Sequence, residues 1–222
     1  MVSHRVVHAA VVVLGVLALG ASAGAQSAPT SAGRAIGVRV VLPDGTVAAA
    51  ASVSAPPRKS ATLAGWSYAD GAVVTGWMSA SARTGAGSEG STANGSASIQ
   101  SVSLFGGDVT VAGVFVKASA SAAGTGASGS LASSSLSNLT VLGKPVQAAS
   151  NARISLGDWG YAVTLEKAVV RSRGARFGYR GFVTGLHVVL TAAHGGLPAG
   201  TEIMVGYAEA AAGAEEEEQP AS

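Results

Sequence analysis

Residues 97–120 read ASIQSVSLFGGDVTVAGVFVKASA, and their apolar side chains recur at every second position on both sides of a Gly106-Gly107 turn. Such alternation is the pattern of a half-buried β-strand, and a Gly-Gly pair between two alternating runs indicates a hairpin. Folding the run about this turn places the apolar residues of the two arms opposite each other. The predicted pairs are Leu104 with Val109, Val102 with Val111, Ile99 with Val114 and Ala97 with Val116.

The alternation changes phase once in each arm, and the two changes face each other. In the first arm the apolar residues are odd-numbered up to Ile99 and even-numbered from Val102. Because side chains alternate strictly between the two faces of a strand, a change of face requires an inserted residue. We therefore expect facing β-bulges near Gln100-Ser101 and Ala112-Gly113. This hairpin is expected to pass from one sheet to a second, or to turn the corner of a barrel.

The rest of the chain follows the same alternation between turn residues. The segment from Ile36 to Leu42 alternates, Pro43-Asp44-Gly45 supplies a turn, and a returning strand starts at Val47. The Gly/Ser-rich run from Arg83 to Gly95 is interpreted as a long loop, and no segment shows a helical period with caps. We predict one antiparallel all-β domain over residues 35–213. It would be a β-sandwich or partly open barrel with bulged hairpins and roughly eight to twelve strands.

The composition limits the chemistry. Of the residues, 48% are hydrophobic but only 5% are aromatic, so the apolar content is mostly small side chains. The chain has no cysteine. This excludes disulfides, a thiol nucleophile, cysteine-ligated metal centres and a lipidated cysteine. We expect no cofactor.

The first 25 residues have the three parts of an export signal. A short basic start is followed by the apolar run Ala9–Leu19 and by small residues that offer cleavage after Ala23 or Ala25. Because the apolar run is shorter than the roughly 20 residues that span a bilayer, we expect a cleaved signal helix rather than an anchor. Residues 26–34 are predicted to form a disordered leader. The expected location is secreted, extracellular or cell-envelope associated, with no stable membrane insertion and no nucleic-acid partner.

The histidines and the sequence motifs give little support to catalysis. Only His187 and His194 follow the predicted signal, and a metal site needs three or four convergent ligands. The run Gly85–Gly90 matches a dinucleotide-binding pattern but opens no helix, so we interpret it as loop. A Gly-x-Ser-x-Gly match falls at 20–24, inside the predicted signal, where no catalytic elbow can form. We predict no catalytic residue and no metal ligand.

A basic and aromatic cluster lies in the run Arg171–Phe182. Arginine pairs with acidic groups and aromatic rings stack on sugars, so one interpretation is a contact surface for an anionic or glycan ligand. The other is a solvated hairpin face, with the acidic segment 214–222 as a possible neutralising partner. The segment itself is predicted to be disordered. The candidate ligand-binding residues are Arg171, Arg173, Arg176, Phe177, Tyr179 and Arg180.

The three tryptophans, Trp66, Trp77 and Trp159, have the same two interpretations. Large aromatic side chains contribute most to cores, so we predict core anchors. An exposed pair would instead indicate a binding platform.

Several strand-and-turn segments resemble one family. They are Val102–Gly107, Asn138–Val146, Gly185–Val188 and Gly200–Ile203. They are similar to the choice-of-anchor proteins, most closely type P, which are secreted proteins of high-GC Gram-positive bacteria. The resemblance implies an envelope or extracellular β-domain whose members end in different surface anchors, with no enzymatic activity to transfer. The acidic run Glu215–Glu218 departs from that pattern, which puts wall attachment in doubt.

The sequence therefore favours an exported, non-catalytic structural or interaction domain. Its expected partner is an extracellular or cell-envelope polymer or protein. The first alternative is a module that binds a carbohydrate or an anionic polymer through the Arg171–Phe182 region. The second is a secreted hydrolase, which would require a deep pocket that gathers a histidine, an acid and a serine.

Overall fold

The computed structural model describes residues 31–57, 59–87, 90–124, 126–172 and 178–213. In these ranges the chain is a sandwich of two antiparallel sheets, as predicted. The predicted signal at 1–25, with its cleavage sites at Ala23 and Ala25, and the acidic segment 214–222 lie outside the described residues.

The described residues form sixteen β-strands and one short 3-10 turn at Phe105–Gly107. The strands are β1 (Ser31–Val41), β2 (Val47–Ala55), β3 (Lys59–Leu63), β4 (Trp66–Tyr68), β5 (Val73–Thr75), β6 (Met78–Gly87), β7 (Gly90–Leu104), β8 (Val109–Ala123), β9 (Gly126–Ser130), β10 (Ser135–Ser137), β11 (Leu139–Val141), β12 (Lys144–Val146), β13 (Ala152–Ser155), β14 (Gly160–Ser172), β15 (Gly178–Leu190) and β16 (Glu202–Gly213).

The strands divide between two sheets. The first sheet has the order β13-β14-β15-β16-β1-β2. The second sheet has the order β12-β11-β8-β7-β5-β4; β6 also pairs with β7, β3 with β6, and β9 and β10 with β8. All pairs are antiparallel.

The register of the central hairpin is the predicted one. Strands β7 and β8 pair Leu104 with Val109, Val102 with Val111, Ile99 with Val114 and Ala97 with Val116. All eight side chains are buried. The apolar side chains therefore lie on the core side of the sheet both before and after the change of phase. The parity of the apolar residues was thus sufficient to predict the pairing.

The expected facing bulges and the passage between sheets are wrong. Gln100 pairs with Gly113 and Val102 with Val111, so one residue on each strand separates these pairs and none is inserted. The change of face comes instead from Ser101, whose φ of 47° is left-handed. Both strands remain in the second sheet, where the neighbour of β7 changes from β6 to β5.

Each sheet contains a row of neighbouring residues, running across several strands, in which left-handed backbone conformations recur. We call each of these a bend row. In the first sheet the register places Leu165, Gly185, Gly206, Gly37 and Ala51 side by side across five strands. Every second residue of this row has a left-handed backbone: φ is 44° at Leu165, 69° at Gly206 and 51° at Ala51. The corresponding row of the second sheet contains Gly76, Ser101, Ala112 and Asn138, with φ of 47° at Ser101 and 51° at Asn138.

These two rows divide the core into two halves of different character. On one side the largest fully buried side chains are Val, Leu and Ile, whereas on the other side the buried residues are mainly alanine. We call these the large half and the small half. The large half includes Leu104, Leu156, Leu186, Leu190 and Ile203; the small half includes Ala35, Ala82, Ala93, Ala118, Ala120, Ala208 and Ala210.

In the small half the two backbones nearly touch. A Cβ built on Gly95 would lie 2.4 Å from the carbonyl oxygen of Arg34 and 2.7 Å from that of Glu209, both in the opposite sheet. One on Gly33 would lie 2.7 Å from the carbonyl oxygen of Asn94. Packed sheets are usually about 10 Å apart. Alanine and glycine at the facing positions permit the closer approach.

Two sequence-based boundaries are corrected for the same reason. The predicted leader 26–34 overlaps β1, which begins at Ser31, and the interpreted loop Arg83–Gly95 belongs mostly to β6 and β7. These segments contain few large apolar residues because they face the other sheet where the two backbones approach most closely, at Gly33 and Gly95. The strand number exceeds the prediction partly because the bend row splits ribbons, such as the one that continues from β5 into β6.

The close approach of the two backbones predicts that alanine substitutions at two glycines of the second sheet differ sharply in their effect on stability. Gly95→Ala should lower the free energy of unfolding by about 2 kcal/mol, because its methyl group would meet backbone oxygens that cannot move aside. Gly87→Ala is the matched control, since nothing lies within 4 Å of its Cβ position. Chemical denaturation followed by tryptophan fluorescence measures both. Equal stability of the two variants would contradict the packing described.

Candidate functional site

The outer face of the first sheet carries a polar and aromatic surface over the small half. Cross-strand pairing places Tyr207 beside Ile36 and Thr184, and the next row outward places Glu209 beside Arg34 and Phe182. On the edge strand β2 the rows end in Ser52 and Ser54. We call Arg34, Ser52, Ser54, Lys59, Arg180, Phe182, Tyr207 and Glu209 the outer-face site.

Glu209 holds one side of the site together. Its Oε1 accepts a hydrogen bond from Arg180 Nε at 2.5 Å, and its Oε2 accepts one from the hydroxyl of Tyr207 at 2.6 Å. The Glu209 side chain is 13% exposed, whereas that of Arg180 is 64% exposed. A guanidinium has five N–H donors, so Arg180 keeps donors for a ligand. The ring of Tyr207 stacks on Phe182 with centroids 5.9 Å apart.

This network sets two protonation states. Burial, followed by the hydrogen bond to Glu209 and its charge, raises the pKa of Tyr207 well above its ordinary value of 10.0. The hydrogen bond to Glu209 also raises the pKa of Arg180. Tyr207 is therefore a neutral donor to a carboxylate, and Arg180 stays positively charged.

The other side of the site is a shallow pocket of about 390 Å³ lined by Arg34, Ser52, Val53, Ser54 and Lys59. Lys59 reaches it from the second sheet, because pairing with the buried Ala82 directs its side chain towards the first sheet. Within the described ranges neither Arg34 nor Lys59 takes part in an ion pair. Two uncompensated cations beside two exposed hydroxyls form a setting that suits an anionic group.

The predicted Arg171–Phe182 surface is divided by the fold. Arg171 pairs with Tyr179 and Val170 with Arg180, so the side chains of Arg171 and Arg180 lie on opposite faces of the sheet. Tyr179 is only 3% exposed, so the prediction that it belongs to a contact surface is wrong. Burial raises the pKa of Tyr179, and the charge of Arg171 opposes that shift. Arg173, Arg176 and Phe177 lie outside the described residues.

Arg34 and Lys59 were missed by sequence analysis. Arg34 was assigned to the leader, and Lys59 was not among the candidate residues. A usable signal for Arg34 was present, since folding residues 36–52 about the predicted turn at Asp44 places Arg34 opposite Ser54, as observed. Lys59 had no such signal, because its position depends on how the two sheets stack.

The two described histidines lie elsewhere. His187 is on the outer face, with Nδ1 2.8 Å from Glu166 Oε2 and Nε2 3.4 Å from Glu202 Oε2. The second distance is within ion-pair range, but Nε2 has no hydrogen-bond partner. These groups link β14, β15 and β16. Over the described part of the chain no group of three or more His, Asp or Glu side chains could hold a metal ion.

His194 belongs to an aromatic cluster at the end of the large half. Its Nε2 lies 2.8 Å from Asp108 Oδ2, and its ring stacks on Trp159 with centroids 3.9 Å apart. Phe105 meets both rings edge-on. Because Phe105 and Asp108 follow β7 while Trp159 and His194 lie in loops of the first sheet, the cluster joins the two sheets. The adjacent pocket, lined by residues 193–198, is shallow.

The tryptophans differ in exposure. Trp159 is buried, as a core anchor should be, and Trp66 packs on the core while its ring stacks on Tyr68. Trp77 is 41% exposed, so its assignment to the core is wrong. It follows Gly76 in the bend row, where β5 passes into β6.

The chain matches no family model, no curated protein and no solved structure. In the described ranges no helix is long and apolar enough to cross a membrane.

The raised pKa of Tyr207 predicts a pH-dependent contribution to stability. A tyrosine whose folded-state pKa is raised stabilises the protein fully below its unfolded pKa, and this contribution is lost as the pH rises through the folded pKa. Tyr207→Phe should therefore reduce stability by about 1 kcal/mol at neutral pH, through the lost hydrogen bond. The difference from wild type should shrink as the pH rises beyond 10.0, the ordinary pKa. Urea denaturation across that range measures it.

Tyr161→Phe is the control for this measurement. Tyr161 lies beneath the guanidinium of Arg153, 3.6 Å from its ring centroid, and its hydroxyl has no hydrogen-bond partner in the described part of the chain. The variant should leave neutral-pH stability nearly unchanged. A pH-independent difference between wild type and Tyr207→Phe would refute the role assigned to Tyr207.

Proposed function

We propose that this protein is a non-catalytic binding module that acts outside the cytosol, where its outer-face site binds an anionic polysaccharide. The observation that carries the proposal is the pairing of two uncompensated cations, Arg34 and Lys59, with the exposed hydroxyls of Ser52 and Ser54. Carboxylate or phosphate groups on the polymer would meet the cations. Its sugar hydroxyls would meet the serines.

The spacing of the cations supports a polymer over a small anion. Arg180 and Arg34 are on β15 and β1, which are separated by β16, so the two strands are about 10 Å apart and the two residues also differ by two positions along β16. Lys59 lies beyond β2, farther along the same direction. An extended chain with repeated charges can contact all three cations at once, whereas a single small anion cannot. The half-buried rings of Phe182 and Tyr207 between them offer an apolar surface to a sugar ring.

The proposed place of action rests on the sequence. The three-part segment at 1–25 supports export, and the resemblance to choice-of-anchor proteins supports an extracellular or envelope setting. A hydrolase has less support, because the carboxylates nearest the two described histidines hold them in structural contacts. The predicted carbohydrate- or polyanion-binding role is thus kept, with its site moved from the Arg171–Phe182 region to the outer face.

Binding to polygalacturonate, a carboxylated polysaccharide, tests the proposal. Full-length Arg34→Gln/Lys59→Gln should bind at least about tenfold more weakly than wild type at low salt, since tenfold corresponds to about 1.4 kcal/mol. Wild-type affinity should fall as salt rises, because exposed charges are screened. Titration calorimetry provides the dissociation constants, and neutral dextran shows whether the charge of the polymer is required.

Arg39→Gln/Lys144→Gln is the matched control, because it removes the same net charge away from the site. Arg39 pairs with Met204 and Ala49 in the large half, and Lys144 lies on β12 of the second sheet. This variant should retain nearly full affinity. Equal losses in the two double variants would mean that net charge alone drives binding, and the proposed site would be rejected.

A further inference from the structure

We propose that the acidic run Glu215–Glu218 of this chain docks on the Arg34 and Lys59 side of the outer-face site and competes there with the polymer. The inference deepens the proposed function by assigning the same site a regulator, and its consequence for affinity rests on that function. The docking itself is testable without any polymer.

Charge complementarity is the first argument. The outer-face site contains three cations, Arg34, Lys59 and Arg180, and one acid, Glu209. Both carboxylate oxygens of Glu209 already accept hydrogen bonds from Arg180 and Tyr207. The positive charge of Arg34 and Lys59 is therefore uncompensated by any ion pair among the described residues. Four consecutive carboxylates in the same chain supply the missing charge.

Reach is the second argument. Strand β16 ends at Gly213, and Glu209 on the same strand pairs with Arg34. The Arg34 row thus lies four residues back from Gly213, or about 13 Å. The five residues from Gly213 to Glu218 span at most roughly 17 Å when extended. A chain that turns back over the outer face brings its carboxylates towards Arg34. Lys59 lies at least two strand spacings, about 10 Å, to the side of β16, so its long side chain and that of the glutamate must cover the remaining distance.

The tether strengthens a contact that would be weak in isolation. An isolated exposed ion pair contributes little to binding. A segment joined to its site by a few residues has an effective concentration in the millimolar range, so several weak pairs populate the docked state without closing it permanently. We therefore expect modest competition that salt abolishes, rather than a complete block.

A second basic region provides the alternative occupant to be tested. Gly213 pairs with Gly178, so the chain leaves the described residues there at adjacent positions, towards Glu215 on one strand and towards Arg176 and Arg173 on the other. The two destinations differ in chemistry that can be measured. Docking on the outer-face site brings the run towards Lys59, the one lysine that lines the pocket there, whereas the alternative region is an arginine cluster.

Carbodiimide cross-linking of the full-length protein at low salt tests the docking directly. We expect an amide bond between Lys59 and a residue of Glu215–Glu218, identified by mass spectrometry, and its loss when salt or polygalacturonate is added. Lys117 and Lys144 are internal controls on the second sheet and should give no such product. No Lys59 product, or equal products at all three lysines, would overturn the inference.

Affinity measurements test the competition. Replacing the four glutamates by glutamine should lower the dissociation constant for polygalacturonate several-fold at low salt, and the gain should vanish at high salt. In the Arg34→Gln/Lys59→Gln background the same replacements should have no effect. An Arg173→Gln/Arg176→Gln background should preserve the gain, and loss of the gain there would assign the run to the alternative region.

Failure of the inference is distinguishable from failure of the proposed function. If wild type binds the polymer but the glutamine replacements change nothing and no Lys59 cross-link forms, the site stands and the docking is wrong. If the cross-link forms but neither wild type nor the glutamine variant binds the polymer, the docking stands and the polymer-binding function is wrong.

Discussion

The near contact between the two backbones in the small half is the constraint on which the rest of the structure depends. Gly95 approaches the carbonyl oxygens of Arg34 and Glu209 so closely that no side chain fits between them. Most facing positions there are therefore glycine or alanine, and the large buried leucines lie beyond the bend rows. Each buried methylene contributes about 0.8 kcal/mol, so an alanine core stabilises less per residue than a leucine core. Continuous strand pairing must supply much of the remaining stability.

The same constraint explains the composition of the outer-face site. Few large side chains of the small half lie between the sheets, Tyr179 and Val183 among them, whereas Phe182, Tyr207 and Arg34 lie on the outside of the same sheet. An ordinary sandwich places its aromatic residues inside. Here the closely spaced sheets leave aromatic rings and charged side chains on the outer surface. Strand pairing from β14 through β15, β16 and β1 to β2 holds that surface rigid. A rigid surface suits binding, because little side-chain order is lost when a ligand arrives.

Sequence analysis was reliable where pairing is local and weak where it depends on the stacking of the sheets. The parity of Leu104 and Val109 predicted the central register, whereas Arg34 was assigned to a disordered leader although the turn at Asp44 carried the signal that places it opposite Ser54. A left-handed Ser101 could not be told from an inserted residue, because both change the apolar phase. The burial of Tyr179 and the approach of Lys59 depend on the other sheet, so local patterns carry no signal for them.

Glu209 shows how stability and charge are coupled in this face. If its carboxylate were free, it would neutralise Arg34, its neighbour on β1, and leave only one cation in the pocket. Instead Arg180 and Tyr207 hold it from the other side, and the raised pKa of Tyr207 keeps the phenol a donor throughout the neutral range. The negative charge is thereby fixed near the β15 side and the positive charge near the β2 edge. Under the proposed function a polyanion would approach from that edge, and its orientation would follow from a hydrogen bond that also stabilises the fold.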